Sequence, residues 1–193
     1  MKDIFEEIVW CAKQLFDKRL VTGSTGNISF KDGEYMYISQ SGTCFGLVKN
    51  DSFAKVKLNG EVVSGKPSKE FPIHLALYKL KPDCKFVIHT HSFYSVLISC
   101  KKNINEILEK MLTTTPYLAM LTKGNVEVID YYFPGSDELF SNTINSINLH
   151  TNVYLLKNHG VFVSEENMIK AYSLLEEFET SAKLWCFLNS TKY

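Results

Sequence analysis

The segment whose residue types most directly suggest chemistry is His89-Thr90-His91. It follows a short apolar run, Phe86-Val87-Ile88, of the kind expected for a strand buried on both faces. On an extended chain, residues two apart project to the same side, so both imidazoles can reach one point. Neutral imidazole is a common zinc ligand, and a third histidine would leave one tetrahedral position open for substrate. His159 is the candidate, since Asn158-His159-Gly160 follows a second apolar run, residues 153–156. Ligands in α/β sheets gather beyond the carboxyl ends of strands, where separate loops converge. Two strand ends that each offer histidine predict a metal site. The plainer alternative is a set of strand-end histidines making ordinary hydrogen bonds.

Glu70 stands in Pro67-Ser68-Lys69-Glu70, where a glycine- and proline-containing loop gives way to a helical pattern. A carboxylate there could bind metal or move a proton beside it. Acidic residues are also favoured in first helical turns by the macrodipole, and from the residues alone this is the preferred reading. His74, four residues on, shares the helical face of Glu70 and reads as a histidine packed behind a metal site. His150, among Asn and Thr, reads as solvated. The segments Ser24-Thr25-Gly26-Asn27, Ser39-Gln40-Ser41-Gly42 and Ser68-Lys69 could offer backbone N–H groups, hydroxyls and one ammonium to a phosphate. Each alone is also an unremarkable turn. There is no G-x-G-x-x-G or Walker motif, and no H-x-E with P-C-x-x-C to suggest a zinc deaminase.

The elements that must position these residues follow from hydrophobic periodicity. Helical spacing predicts a helix over 3–20, another over 69–80 ending at Lys81-Pro82, one from about Ser92, one over about 137–148 and a long closing helix over 165–189. Strands are predicted at 28–30 and 35–39, joined through Lys31-Asp32-Gly33, and at 53–58 and 61–63, joined at Asn59-Gly60. Further strands are predicted at 86–88, 126–129 and 153–156. Hairpins early and strand–helix alternation later imply a mixed sheet covered by helices, with residues 1–193 as one α/β domain.

The composition agrees with an ordinary globular protein, 45% hydrophobic and 22% charged. Twenty-one basic residues balance twenty-one acidic ones, so nothing attracts nucleic acid or an anionic membrane over long range. The five cysteines are odd in number and never in a C-x-x-C pair, which fits a reducing, cytoplasmic setting. The most apolar stretch, from Phe86 to Ser99, is too short to span a bilayer.

Taken in order, S-T-G-N (24–27), S-G-T (41–43), K-P-S-K-E (66–70), V-I-H-T-H-S (87–92), T-P-Y (115–117) and N-H-G-V (158–161) resemble the class II aldolase/adducin family. That resemblance implies a single-domain three-layer α/β/α fold with a mixed central sheet, usually a homotetramer with active sites near subunit interfaces. It implies a zinc ion on His89, His91 and His159, and Glu70 as acid/base. It also implies Gly26, Asn27, Ser41, Gly42, Ser68 and Lys69 around a substrate phosphate, with Tyr117 as a proton donor. K-P-S-K-E, with H-S-F-Y-S-V-L-I-S-C (91–100) and D-Y-Y-F-P-G-S (130–136), looks more like the 3-oxo-tetronate 4-phosphate decarboxylase branch. The fuculose-phosphate aldolases carry a second serine where Lys69 stands. The implied activity is a zinc-dependent carbon–carbon lyase acting on a small phosphorylated keto-acid or keto-sugar through an enediolate. The alternatives are a fuculose-phosphate-type aldolase and a non-catalytic adducin-like interaction module.

Overall fold

The computed structural model describes residues 2–190. Helix α1 (Lys2–Asp17) leads into two hairpins, β1 (Asn27–Asp32) with β2 (Tyr35–Ser39), then β3 (Phe53–Lys57) with β4 (Val62–Ser64). Next come α2 (Phe71–Leu80), β5 (Phe86–Thr90), α3 (Phe93–Ser99), α4 (Ile104–Thr114) and α5 (Pro116–Thr122). The chain ends through β6 (Glu127–Ile129), α6 (Asp137–Asn145), β7 (Val153–Leu156), β8 (Gly160–Glu165) and α7 (Met168–Ser190). The strands form one eight-stranded sheet in the order β4-β3-β2-β1-β5-β8-β7-β6. Among the described residues only β6 and β7 pair in parallel, so the sheet is mixed, as expected.

Strand periodicity divides the core into two layers. Ile28, Phe30, Phe86, Ile88, Val153, Leu155, Val161 and Val163 face the layer shared with α1, α3, α4, α5 and α7. Val87, Tyr154, Leu156 and Phe162 face the other layer, covered from α2 and α6. The central strands β5 and β7 are buried throughout, which explains why they read as continuous apolar runs.

Five elements depart from the sequence reading. Strand β8 was not expected, and the closing helix begins at Met168 rather than 165 because β8 runs on to Glu165. Leu156 pairs with Gly160 across three residues, one of them Asn158 in the left-handed region at φ +53°, so the turn is a tight hairpin. Helices α4 and α5 were also missed, although Ile104, Ile107, Leu108 and Met111 lie buried at helical spacing. Helix α1 stops at Asp17, three residues short of its predicted end. Among the described residues, no helix is long and apolar enough to cross a membrane.

Candidate active site

The site forms where three neighbouring strands end. His89 is the fourth residue of β5, His91 follows the strand, and His159 sits in the β7–β8 turn. Two glycines let the flanking segments close on β5. A Cβ on Gly160 would lie 2.3 Å from the Thr90 carbonyl oxygen and 2.9 Å from His91 Cδ2. One on Gly26 would lie 2.6 Å from the His89 carbonyl oxygen, and Gly26 has φ +82° besides. Gly26 thus packs the start of β1 against the histidine strand, whatever it contributes to a phosphate.

The three ring systems converge. His89 Nε2 and His91 Nε2 are 2.9 Å apart, and one ligand atom from each of the three histidines falls within 4.8 Å of the others. His89 is fully buried and stacked on Phe162, with ring centroids 3.9 Å apart. Its Nδ1 lies 3.1 Å from the Val161 carbonyl oxygen, so Nδ1 carries the proton and Nε2 turns a lone pair inward. Burial holds all three imidazoles below their ordinary pKa, His89 furthest, with the neighbouring histidines adding to its shift. They are therefore neutral at pH 7, the form that binds metal.

Glu70 joins them from the other side. It occupies the N-cap position of α2 without capping it, and its carboxylate is turned into the cluster. Oε2 lies 3.2 Å from His89 Nε2, and Oε1 lies 3.3 Å from His159 Nε2. Glu70 is buried, and its Oε1 accepts no hydrogen bond. Burial raises its pKa, opposed by His159 and by a hydrogen bond from Asn27. The preference for an ordinary first-turn acid is thereby corrected. Three converging imidazoles and a buried carboxylate oxygen without a donor make a donor set that fits a cation such as zinc.

The predicted phosphate residues lie on segments tied together beside Glu70. Ser41 N donates to the Lys66 carbonyl at 2.9 Å, and Ser68 N donates to the Ser39 carbonyl at 3.2 Å. The Ser39 hydroxyl accepts from Ile28 N at 3.2 Å and ties this pair to β1. Ser41, Gly42 and Lys69 are exposed there, and Gly42 takes φ +84°. Asn27 differs: both ends of its carboxamide are engaged, by Glu70 and His74, and it is buried. A phosphate contact from that side chain would require releasing one of these partners. Tyr117 is not brought into the cluster. It is 62% exposed on α5 and lines a shallow groove against α7 with Met120, Ser173 and Glu176.

Glu179 was not anticipated. From within α7 it accepts hydrogen bonds from Ser92 Oγ (2.7 Å), Tyr94 N (2.8 Å), Ser95 N (2.9 Å) and Ser95 Oγ (2.6 Å). It thus holds the start of α3, immediately after His91. Its run, Glu176-Glu177-Phe178-Glu179, contains no signal that one of the three acids is buried.

Comparison with known proteins agrees with this geometry. The model of the class II aldolase and adducin N-terminal domain matches residues 6–186. An L-fuculose phosphate aldolase of Methanocaldococcus jannaschii is 35% identical over 179 residues, 93% of each chain. A 3-oxo-tetronate 4-phosphate decarboxylase of Escherichia coli K12 is 37% identical over 182 residues, 93% of this chain and 84% of that one. The solved structure of an L-fuculose 1-phosphate aldolase superposes with a TM-score of 0.84 at 27% identity, covering 100% of this chain and 89% of that one. By matched length, fold and relatives, the chain belongs to the class II aldolase and adducin N-terminal domain family.

Proposed function

We propose that this chain is a zinc-dependent lyase that converts 3-oxo-tetronate 4-phosphate to dihydroxyacetone phosphate and carbon dioxide. The observation that carries the reading is Glu70: a buried carboxylate spans two of three converging imidazoles, and one of its oxygens has no donor. Zinc held by His89, His91 and His159 would supply Lewis-acid polarisation of the substrate carbonyl at C3. Ser41 and Ser68, with backbone at Gly42 and the ammonium of Lys69, would hold the phosphate at the mouth of the site. The C1–C2 bond breaks, its electron pair enters the C2–C3 bond, and carbon dioxide leaves. Glu70, entering the cycle as the carboxylic acid with its proton on Oε1 while Oε2 accepts from Asn27, then delivers that proton to C2 of the resulting enediolate and regains one from solvent. A carboxyl held above its ordinary range by burial suits that task.

Lys69 favours the keto-acid. It is exposed beside Ser68, and its stem lies 3.9 Å from the Cβ position of Gly135, in the loop after β6. An added cation there favours a substrate that carries both phosphate and carboxylate. It would anchor the phosphate end, because a carboxylate held too tightly resists departure. The second reading, a fuculose-phosphate-type aldolase, is supported by the archaeal relative that matches over 93% of both chains. It needs the same enediolate, with an aldehyde leaving in place of carbon dioxide. Tyr117 remains the other candidate donor, and its exposure on α5 means that a second copy, in a homotetramer, would have to deliver it.

Zinc-loaded protein should be assayed with 3-oxo-tetronate 4-phosphate and with fuculose 1-phosphate for dihydroxyacetone phosphate release. The keto-acid should turn over far faster, and Lys69→Ser should mainly raise its KM. Efficient cleavage of the ketose with the keto-acid untouched would establish the aldolase instead. Purified protein that binds no zinc and turns over neither would point to an adducin-like interaction module.

A further inference from the structure

The site continues behind Glu70 as a single file of buried polar side chains between β1 and α2. Asn27 Nδ2 donates to Glu70 Oε2 at 3.1 Å, and Asn27 Oδ1 lies 2.5 Å from His74 Nε2. His74 Nδ1 lies 2.7 Å from Ser29 Oγ, which in turn lies 2.6 Å from the Tyr78 hydroxyl. All five residues are buried. Asn27 and Ser29 are two apart on a strand, while Glu70, His74 and Tyr78 are spaced by four at and along a helix. The file is thus a ladder between one strand face and one helix face.

The carboxylate sets the direction of every link. A carboxylate only accepts, so Asn27 presents its NH₂ group to Glu70 and its oxygen to His74. That oxygen also only accepts, so His74 carries a proton on Nε2. Burial pushes the His74 pKa down to about 3, so the ring is neutral and has no second proton. Nδ1 therefore accepts from Ser29, and the Ser29 oxygen accepts from Tyr78. All four donors point toward Glu70. The alternative amide orientation would set Asn27 Oδ1 against Glu70 Oε2, two acceptors in contact.

We propose that His74 is a positioning residue for Glu70: its Nε2–H holds the Asn27 carboxamide in the orientation that keeps the Glu70 carboxylate against the histidine cluster. The proposal rests on the reading of Glu70 as the proton carrier. A packing histidine needs no particular tautomer, whereas this role needs one. It also affects the proton-transfer step and leaves phosphate binding alone, so the effect belongs in kcat and not in KM.

Two measurements test it. In metal-free protein labelled with ¹⁵N-histidine, two-bond ¹⁵N–¹H correlations at pH 7 should show His74 protonated on Nε2 and bare on Nδ1. A proton on Nδ1 reverses the file and overturns the proposal, whatever the enzyme does. In the zinc-loaded enzyme, His74→Gln keeps an amide N–H near the Nε2 position, while His74→Asn places its amide nearer Nδ1 and cannot reach Asn27. His74→Asn should lower kcat about tenfold, the loss of about one hydrogen bond's worth of positioning. KM and zinc content should stay within about twofold, and His74→Gln should recover most of the rate. Equal kcat in folded His74→Asn, His74→Gln and wild type would reduce His74 to packing and overturn the proposal. If the wild type turns over neither substrate, the lyase reading fails by itself, and the tautomer still decides this inference.

Discussion

The two ends of the central sheet treat buried polar groups in opposite ways. At the amino end of β5, a cavity of about 390 Å³ is lined by Lys81, His150, Asn152, Ser164 and Glu165, among others. Its polar groups largely satisfy one another. The Lys81 ammonium donates to the Thr151 carbonyl and, at 3.1 Å, to Ser164 Oγ, while Asn152 Nδ2 donates to Glu165 at 2.5 Å. Asn152 Oδ1 is the buried exception. At the carboxyl end of β5, ring nitrogens of three histidines lie within 4.8 Å of one another, and Glu70 Oε1 is buried beside them without a hydrogen-bond donor. The amino-end cavity closes on itself chemically, whereas the carboxyl-end cluster keeps a buried carboxylate oxygen without a partner. A buried polar group without a partner calls for an explanation that a self-satisfied cavity does not.

Breaking the carboxyl end should abolish activity and leave the fold intact. His89→Ala, His91→Ala and His159→Ala should each lose most bound zinc and bring turnover to background, read by metal analysis and by dihydroxyacetone phosphate release. Full zinc occupancy in any one of them would remove that histidine from the site. Glu70→Gln should keep zinc and lower kcat by about a hundredfold or more, because the amide cannot carry the proton. Near-normal turnover would move that role to Tyr117.

The amino end should behave in reverse. Lys81→Met takes the ammonium from the Ser164 hydroxyl and leaves the Thr151 carbonyl to the Tyr154 hydroxyl alone, at a cost of about 1 kcal/mol in urea unfolding. Its kcat should equal that of the wild type; a large loss of turnover would show that the two ends communicate.

The last test concerns acid. His74 has a folded pKa of about 3 against an ordinary 6.5. As pH falls below about 6.5, the unfolded chain takes up a proton that folded His74 refuses until about pH 3. Stability present above pH 6.5 is therefore lost through that window, by up to about 1.4 kcal/mol per pH unit for one proton. Urea midpoints of metal-free protein at pH 7 and pH 5 should fall less in His74→Gln than in wild type. An equal fall would assign acid sensitivity to the other buried histidines.

Much of this was legible in the chain itself. The apolar runs at 86–88 and 153–156 located two central strands, and the histidines at their ends located the candidate metal site, because strand periodicity is local. The same logic extends to β8, since Lys157-Asn158-His159-Gly160 between two apolar runs is a hairpin signal. The spacing of Ile104, Ile107, Leu108 and Met111 likewise announced α4.

Pairings between distant segments were not legible, because no periodicity encodes them. Glu70 reads as an ordinary first-turn acid until β1 sets Asn27 beside it and β5 sets His89 3.2 Å away. Asn27 belongs by motif to a phosphate loop, and only packing against α2 commits its carboxamide to Glu70 and His74. Glu179 becomes a clamp on α3 only because α7 crosses above it. Residue types and local spacing determined which groups could do chemistry. Tertiary structure decided which of them lost water together, and burial is what holds His89 below its ordinary pKa and Glu70 above its own.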